Sequence, residues 1–192
     1  VLDCDPGATI IIGHHARTKA EMEEMIRDNR WKDLLREVPI SKGDFFQINP
    51  GCLHAIKGGT LILETQQSSD VTDRFYDYGR LQNGKPRPLH LAQSLDVTTI
   101  PFRPEQPTQE TWQQGDAAVT RLVTCPYYTV CRAELNGKAE FRWEQPFVNA
   151  SILSGEGTLD GQKVTKGDHL LLTDHYGPMT AEGKLELIYS HL

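Results

Sequence analysis

The chain has 192 residues, of which 38% are apolar, and carries a formal net charge of -6 from 26 acidic and 20 basic residues. That length is enough for one large β-domain or two small ones with a real core. The acidic balance, with no basic patch, argues against a nucleic-acid partner, and no apolar run approaches the ~20 residues that span a bilayer. Cys4, Cys52, Cys125 and Cys131 form no Cys-x-x-Cys pair, so they read as free thiols of a cytosolic protein. Any phosphate on a ligand must be gripped by local groups, because the overall charge repels it. The first residue, Val1, is not Met and starts inside a strand-like run, an indication that more chain precedes it.

Residues 1–13 read as strand, Asp5–Pro6–Gly7 turn, strand. Thr18 with Glu21 three residues on is a capping box that opens a helix. Met22, Met25 and Ile26 make one helical face. Trp31, Leu34, Leu35 and Val38 make a second, after a break at Asp28–Asn29 and before Pro39. The helical insertion is expected over 18–38. From Ile40 to Ile100 the text is β again, with turns at Asn49–Pro50–Gly51, Gly58–Gly59 and Asn83–Gly84. The stretch 101–116, with Pro101, Pro104 and Pro107, reads as a linker or extended crossover. From 117 to 192 short strands alternate with Gly turns.

One internal echo stands out. Lys42–Gly43–Asp44 leads into Phe45, Phe46 and Ile48, and Lys166–Gly167–Asp168 leads into Leu170, Leu171 and Leu172. The Gly155–Glu156–Gly157 turn precedes the second copy. This resembles the turn idiom of cupin jelly rolls and makes two β-units plausible. The expected fold is therefore all-β: two cupin-like jelly-roll units, 1–100 and 117–192, the first incomplete and carrying the helical insertion. The second is expected to be degenerate and kept for packing, with no metal at His169 or His175.

The densest chemistry lies between Gly43 and Arg80. Gly43, Asn49–Pro50–Gly51 and His54 match the spacing of a second cupin motif, in which the bend aims an imidazole at a metal. Glu64 closes the apolar run Leu61–Leu63. The stretch Glu64–Thr65–Gln66–Gln67–Ser68–Ser69–Asp70, continuing to Tyr76–Asp77, resembles the signature of short bacterial type I mannose-6-phosphate isomerases. That resemblance implies a zinc enzyme that interconverts mannose 6-phosphate and fructose 6-phosphate through an enediol. It implies His54 as a zinc ligand, Arg74 as the active-site arginine, and Glu64 and Asp70 as residues lining the substrate pocket. The family's other zinc ligands come earlier than Val1, and the adjacent His14 and His15 do not replace them. These 192 residues alone are thus expected to be inactive. The alternative is a non-catalytic cupin that senses sugars. Tyr76 and Tyr78 read as strand packing, Arg80 and Arg87 as ion pairs, and His90 as structural.

Overall fold

A computed structural model describes residues 1–69, 71–105, 107–174 and 176–192. Asp70 and His175, both singled out above, lie outside the described residues. The chain divides into two compact units, Val1–Gln106 and Pro107–Leu192.

In the first unit the elements run β1 (Asp3–Cys4), β2 (Thr9–His14), α1 (Lys19–Arg27), α2 (Trp31–Leu34), β3 (Leu35–Pro39), β4 (His54–Ala55), β5 (Thr60–Leu61), β6 (Leu81–Gln82), β7 (Lys85–Pro86) and α3 (Leu91–Val97). The central sheet has the order β3-β2-β4, while β1 pairs with β5 and β6 with β7. α1 starts where its capping residues dictate. Thr18 Oγ1 accepts the Glu21 amide (3.1 Å), and Glu21 Oε2 accepts the Arg17 amide (2.7 Å). It ends at Asp28, and Asn29 takes a left-handed φ of 55°. Met22, Met25, Leu34 and Phe75 form a buried cluster, with Trp31, Leu53, Leu91 and Leu95 packed against it.

Several expectations change here. Leu35 and Val38 belong to β3, not to a second helix, because β2 offers a ladder to pair with: Thr9 to Ile11 face Pro39 to Glu37. Residues 45–49 and 62–69 lie outside the assigned strands. Residues 91–97, read as β, form α3, anchored by Leu91 and Leu95 on the helical cluster. Tertiary packing has overridden local pattern in each case.

The second unit contains β8 (Glu110–Gln114), β9 (Ala117–Thr124), β10 (Thr129–Phe141), β11 (Phe147–Leu159), β12 (Gln162–Thr165), β13 (His169–Thr173) and β14 (Met179–His191). β8 lies inside the stretch read as a linker, because Glu110–Gln114 pair with Ala117–Arg121 around a tight turn. The sheet order is β12-β11-β14-β10-β9-β8, with β13 also on β11. Odd-numbered residues of β10 and β14 point inward: Cys131, Ala133, Leu135, Ala139 and Phe141, and Met179, Ala181, Leu185, Leu187 and Tyr189. At the middle of each series the alternation is interrupted by an exposed glycine. Gly137 faces Gly183, and Gly183 faces Gly157 across β14 and β11. Backbones close in at this row. A Cβ at Gly157 would lie 2.2 Å from the Glu182 carbonyl, and one at Gly183 2.7 Å from Glu156 O and Gly157 Cα.

Gly183 also has φ +125°. Gly183→Ala therefore combines backbone strain with a collision that no side-chain rotation relieves, and is expected to cost about 3 kcal/mol or more. Gly161→Ala has positive φ but open space, and is expected to cost about 1 kcal/mol. Chemical denaturation of the two variants checks this; equal midpoints would mean the glycine row is not a packing constraint.

Candidate active site

The turn that precedes the candidate metal ligand is built as its residues require. The Cys52 amide donates to the Asn49 carbonyl (3.1 Å), with Pro50 second and Gly51 third at φ 82°. That is the arrangement of a type II turn. Gly51 is doubly constrained, because a Cβ there would lie 2.6 Å from Thr99 Oγ1 and 2.7 Å from the Val97 carbonyl. The turn delivers His54 to β4, where it pairs with Ile12 of β2. His54 is exposed, and its Nδ1 lies 3.1 Å from the Cys52 carbonyl. With the proton on Nδ1, that contact is a hydrogen bond and Nε2 carries the free lone pair. This is the ligand form of a histidine held by a backbone carbonyl. The residue therefore fits a zinc ligand. Among the described residues no cluster of three or more His, Cys, Asp or Glu comes together.

His14 is buried and occupied elsewhere, with Nε2 2.9 Å from the Thr99 carbonyl, whereas His15 is exposed. Glu64 is exposed and lies beyond β5, outside any assigned strand, because β5 ends at Leu61.

Arg74 is also outside a strand, yet its segment is tightly held. Phe75 is buried in the helical cluster and meets Trp31 edge-on at 5.8 Å. Tyr76 stacks on Trp31 at 4.4 Å, and Tyr78 packs on Tyr76 without forming a strand. The Arg74 amide donates to His90 Nδ1 (3.2 Å), and the His90 amide donates to the Arg74 carbonyl (2.8 Å). Arg74 Nη1 donates to the Pro88 carbonyl (3.0 Å). Leu53 and Phe75 share the helical cluster, so their chain neighbours His54 and Arg74 flank one packed region.

Asp77 is the residue that sequence reasoning underrated. It is 5% exposed and receives both Arg80 and Arg87. The Arg87 hydrogen bonds pull its carboxyl down to about 2 against the opposing effect of burial, with Arg80 assisting. The nearby arginines at 80 and 87 announced ion pairs; nothing in the sequence announced a buried carboxylate as their shared partner.

The second unit has a cavity of about 320 Å³ lined by Trp112, Cys131, Phe141, Trp143 and Tyr189. Its polar groups largely satisfy one another. Trp112 Nε1 donates to Gln114, Gln114 Nε2 to the Glu140 carbonyl, and Thr124 and Thr129 hydroxyls share a bond. Arg121 pairs with Glu110. Burial raises the Tyr189 hydroxyl and the Cys131 thiol, so neither is an activated nucleophile. His169 bonds to Ser151.

Residues 118–192 match the family described as the cupin domain of mannose-6-phosphate isomerase. The whole chain is 43% identical to mannose-6-phosphate isomerase ManA of Bacillus subtilis and 39% identical to the mannose-6-phosphate isomerase of Streptococcus mutans. It spans 62% of the length of each. The crystal structure of mannose 6-phosphate isomerase from Bacillus subtilis superposes on the whole chain with a TM-score of 0.95, at 38% identity, over 63% of that structure. The chain therefore carries the cupin domain of the mannose-6-phosphate isomerase family.

Proposed function

We propose that the full-length protein is a cytosolic zinc enzyme that interconverts mannose 6-phosphate and fructose 6-phosphate. The names of its relatives support the reaction class. One observation carries the assignment to residues, namely that the carboxylates described near Arg74 are engaged with other partners. Asp77 is taken up by Arg80 and Arg87, and Asp73 lies 3.8 Å from His90. Among the described residues no carboxylate pairs with Arg74, which supports its assignment to a ligand's charge.

Aldose–ketose interconversion moves a proton between C1 and C2 through an enediol, and negative charge gathers on the two adjacent oxygens. Arg74 stabilises that charge with a planar cation that never loses its proton. His54 would hold a metal, its ring fixed by the Cys52 carbonyl. Zinc, when bound, supplies a Lewis acid toward the same oxygens. Glu64 and Asp70 are assigned to the substrate pocket.

A coupled assay of the full-length protein on mannose 6-phosphate tests this. Turnover that is lost on chelation and restored by zinc is the expected result. Sugar-phosphate binding without turnover would replace the enzyme by a sugar-sensing module.

A further inference from the structure

We infer that the bidentate ion pair between Asp77 and Arg87 is a brace that sets the position of Arg74, which makes both of them positioning residues for its guanidinium. The inference rests on the role given to Arg74 above.

The geometry closes a ring. Arg87 Nε donates to Asp77 Oδ2 (2.6 Å), and Arg87 Nη2 donates to Oδ1. A fork of this kind fixes direction as well as distance. Pro88 follows Arg87 directly, and its carbonyl accepts Arg74 Nη1 (3.0 Å). Asp77 is three residues after Arg74. Chain, ion pair, chain and hydrogen bond therefore link Arg74, Asp77, Arg87 and Pro88 in one circuit. The carbonyl occupies part of the guanidinium's N–H set and leaves the rest for a ligand.

Packing explains why the brace is needed. Residues 78–86, the hairpin of β6 and β7, are all exposed. Apart from Tyr78, which packs on Tyr76, the hairpin adds nothing to the buried cluster, so Pro88 is held between the Arg87 fork and the His90–Arg74 bonds. On the other side, Phe75 and Tyr76 are fixed by the helical cluster and Trp31. Asp77 therefore sits at the end of a rigid segment, and Arg87 at the start of a strap that returns toward it. The side chain of Asp77 is only 6% exposed. A carboxylate buried this far is costly unless paired, and two guanidiniums exceed what neutralisation requires. Arg80, whose side chain is 64% exposed, supplies charge at the rim. Arg87, at 28%, supplies the fork.

The test uses the full-length protein with zinc content, melting temperature and steady-state kinetics measured together. Arg87→Ala is expected to lower kcat on the order of ten- to a hundredfold, as small misplacement of a reacting group does, with KM and zinc little changed. Arg87→Lys keeps the charge, loses the fork and is expected to fall between. Should Arg87→Ala melt early, Arg87→Lys carries the test. Arg80→Ala is expected to turn over near normally. In an Arg74→Ala background, Arg87→Ala is expected to add nothing, because the two act as one unit. Full turnover in Arg87→Ala, or losses that simply multiply in the double variant, would overturn the brace. Normal turnover in Arg74→Ala alone would overturn the role of Arg74 and the brace with it, so the two failures are told apart.

Discussion

Replacing His54 with Ala in the full-length protein is expected to leave it without bound zinc and without measurable isomerase activity. The wild-type protein should hold about one zinc per chain in a tetrahedral site, and removing one ligand opens that site. Loss of an outer-shell partner alone costs roughly 10–100-fold in metal affinity, and loss of a ligand should exceed that. The His54 ring is exposed and oriented by the Cys52 carbonyl, so its removal leaves no cavity in the core. The fold should therefore survive, and melting in excess chelator should be close to that of the chelated wild type. Metal analysis of the purified variant decides the matter. Undiminished zinc would remove His54 from the ligand set, whatever happens to activity.

The turn that delivers His54 could be read from the sequence because its supports are local. The Asn49–Pro50–Gly51–Cys52 turn needs Pro second and a left-handed residue third, and Gly51 has φ 82°. The echo between the units is local too. The Asp44 carboxylate accepts the Ser41 amide at 2.7 Å, and the Asp168 carboxylate accepts the Thr165 amide at 2.7 Å. Each turn has its Gly at positive φ, 93° at Gly43 and 95° at Gly167. The segments after the two turns differ for a nonlocal reason. His169–Thr173 finds β11 and becomes a strand. Residues 45–49 find no strand partner among the described residues, and their apolar text stays irregular. Periodicity marked both runs as strands, but only a ladder makes one.

The same distinction explains the rest. Cross-strand glycines at 137, 157 and 183 are visible in sequence only as turn residues, yet they sit inside the longest strands where three backbones meet. α3 was hidden because Leu91 and Leu95 owe their helical spacing to packing on a cluster built largely by residues far earlier in the chain. Arg74 and Asp77 stood out as charges in a motif. That Asp77 is taken up by guanidiniums depends on Arg87, ten residues past it and across an exposed hairpin.

Arg74→Ala in the full-length protein is expected to lower kcat by on the order of a hundredfold or more, as loss of one preorganised donor does. A group that stabilises charge developing at the reacting oxygens acts in the transition state, so KM should move far less. Arg74→Lys should restore part of the loss, since a point charge replaces the fork imperfectly. Zinc content should stay at the wild-type level in both variants, which separates this residue from His54. Stability should change little, because the side chain makes one bond to an accessible carbonyl, whereas the segment's anchors are Phe75, Tyr76 and Asp77. A purely structural arginine makes the opposite forecast. A surface pair is worth about 0–1 kcal/mol, so its loss would leave turnover near normal. Of the two carboxylates such a pair would use, Asp77 is taken up by Arg80 and Arg87, and Asp70 lies outside the described residues. Steady-state kinetics with zinc measured in the same samples separates the two readings. Near-normal turnover in Arg74→Ala would leave His54 and its metal as the remaining source of charge stabilisation among the residues named.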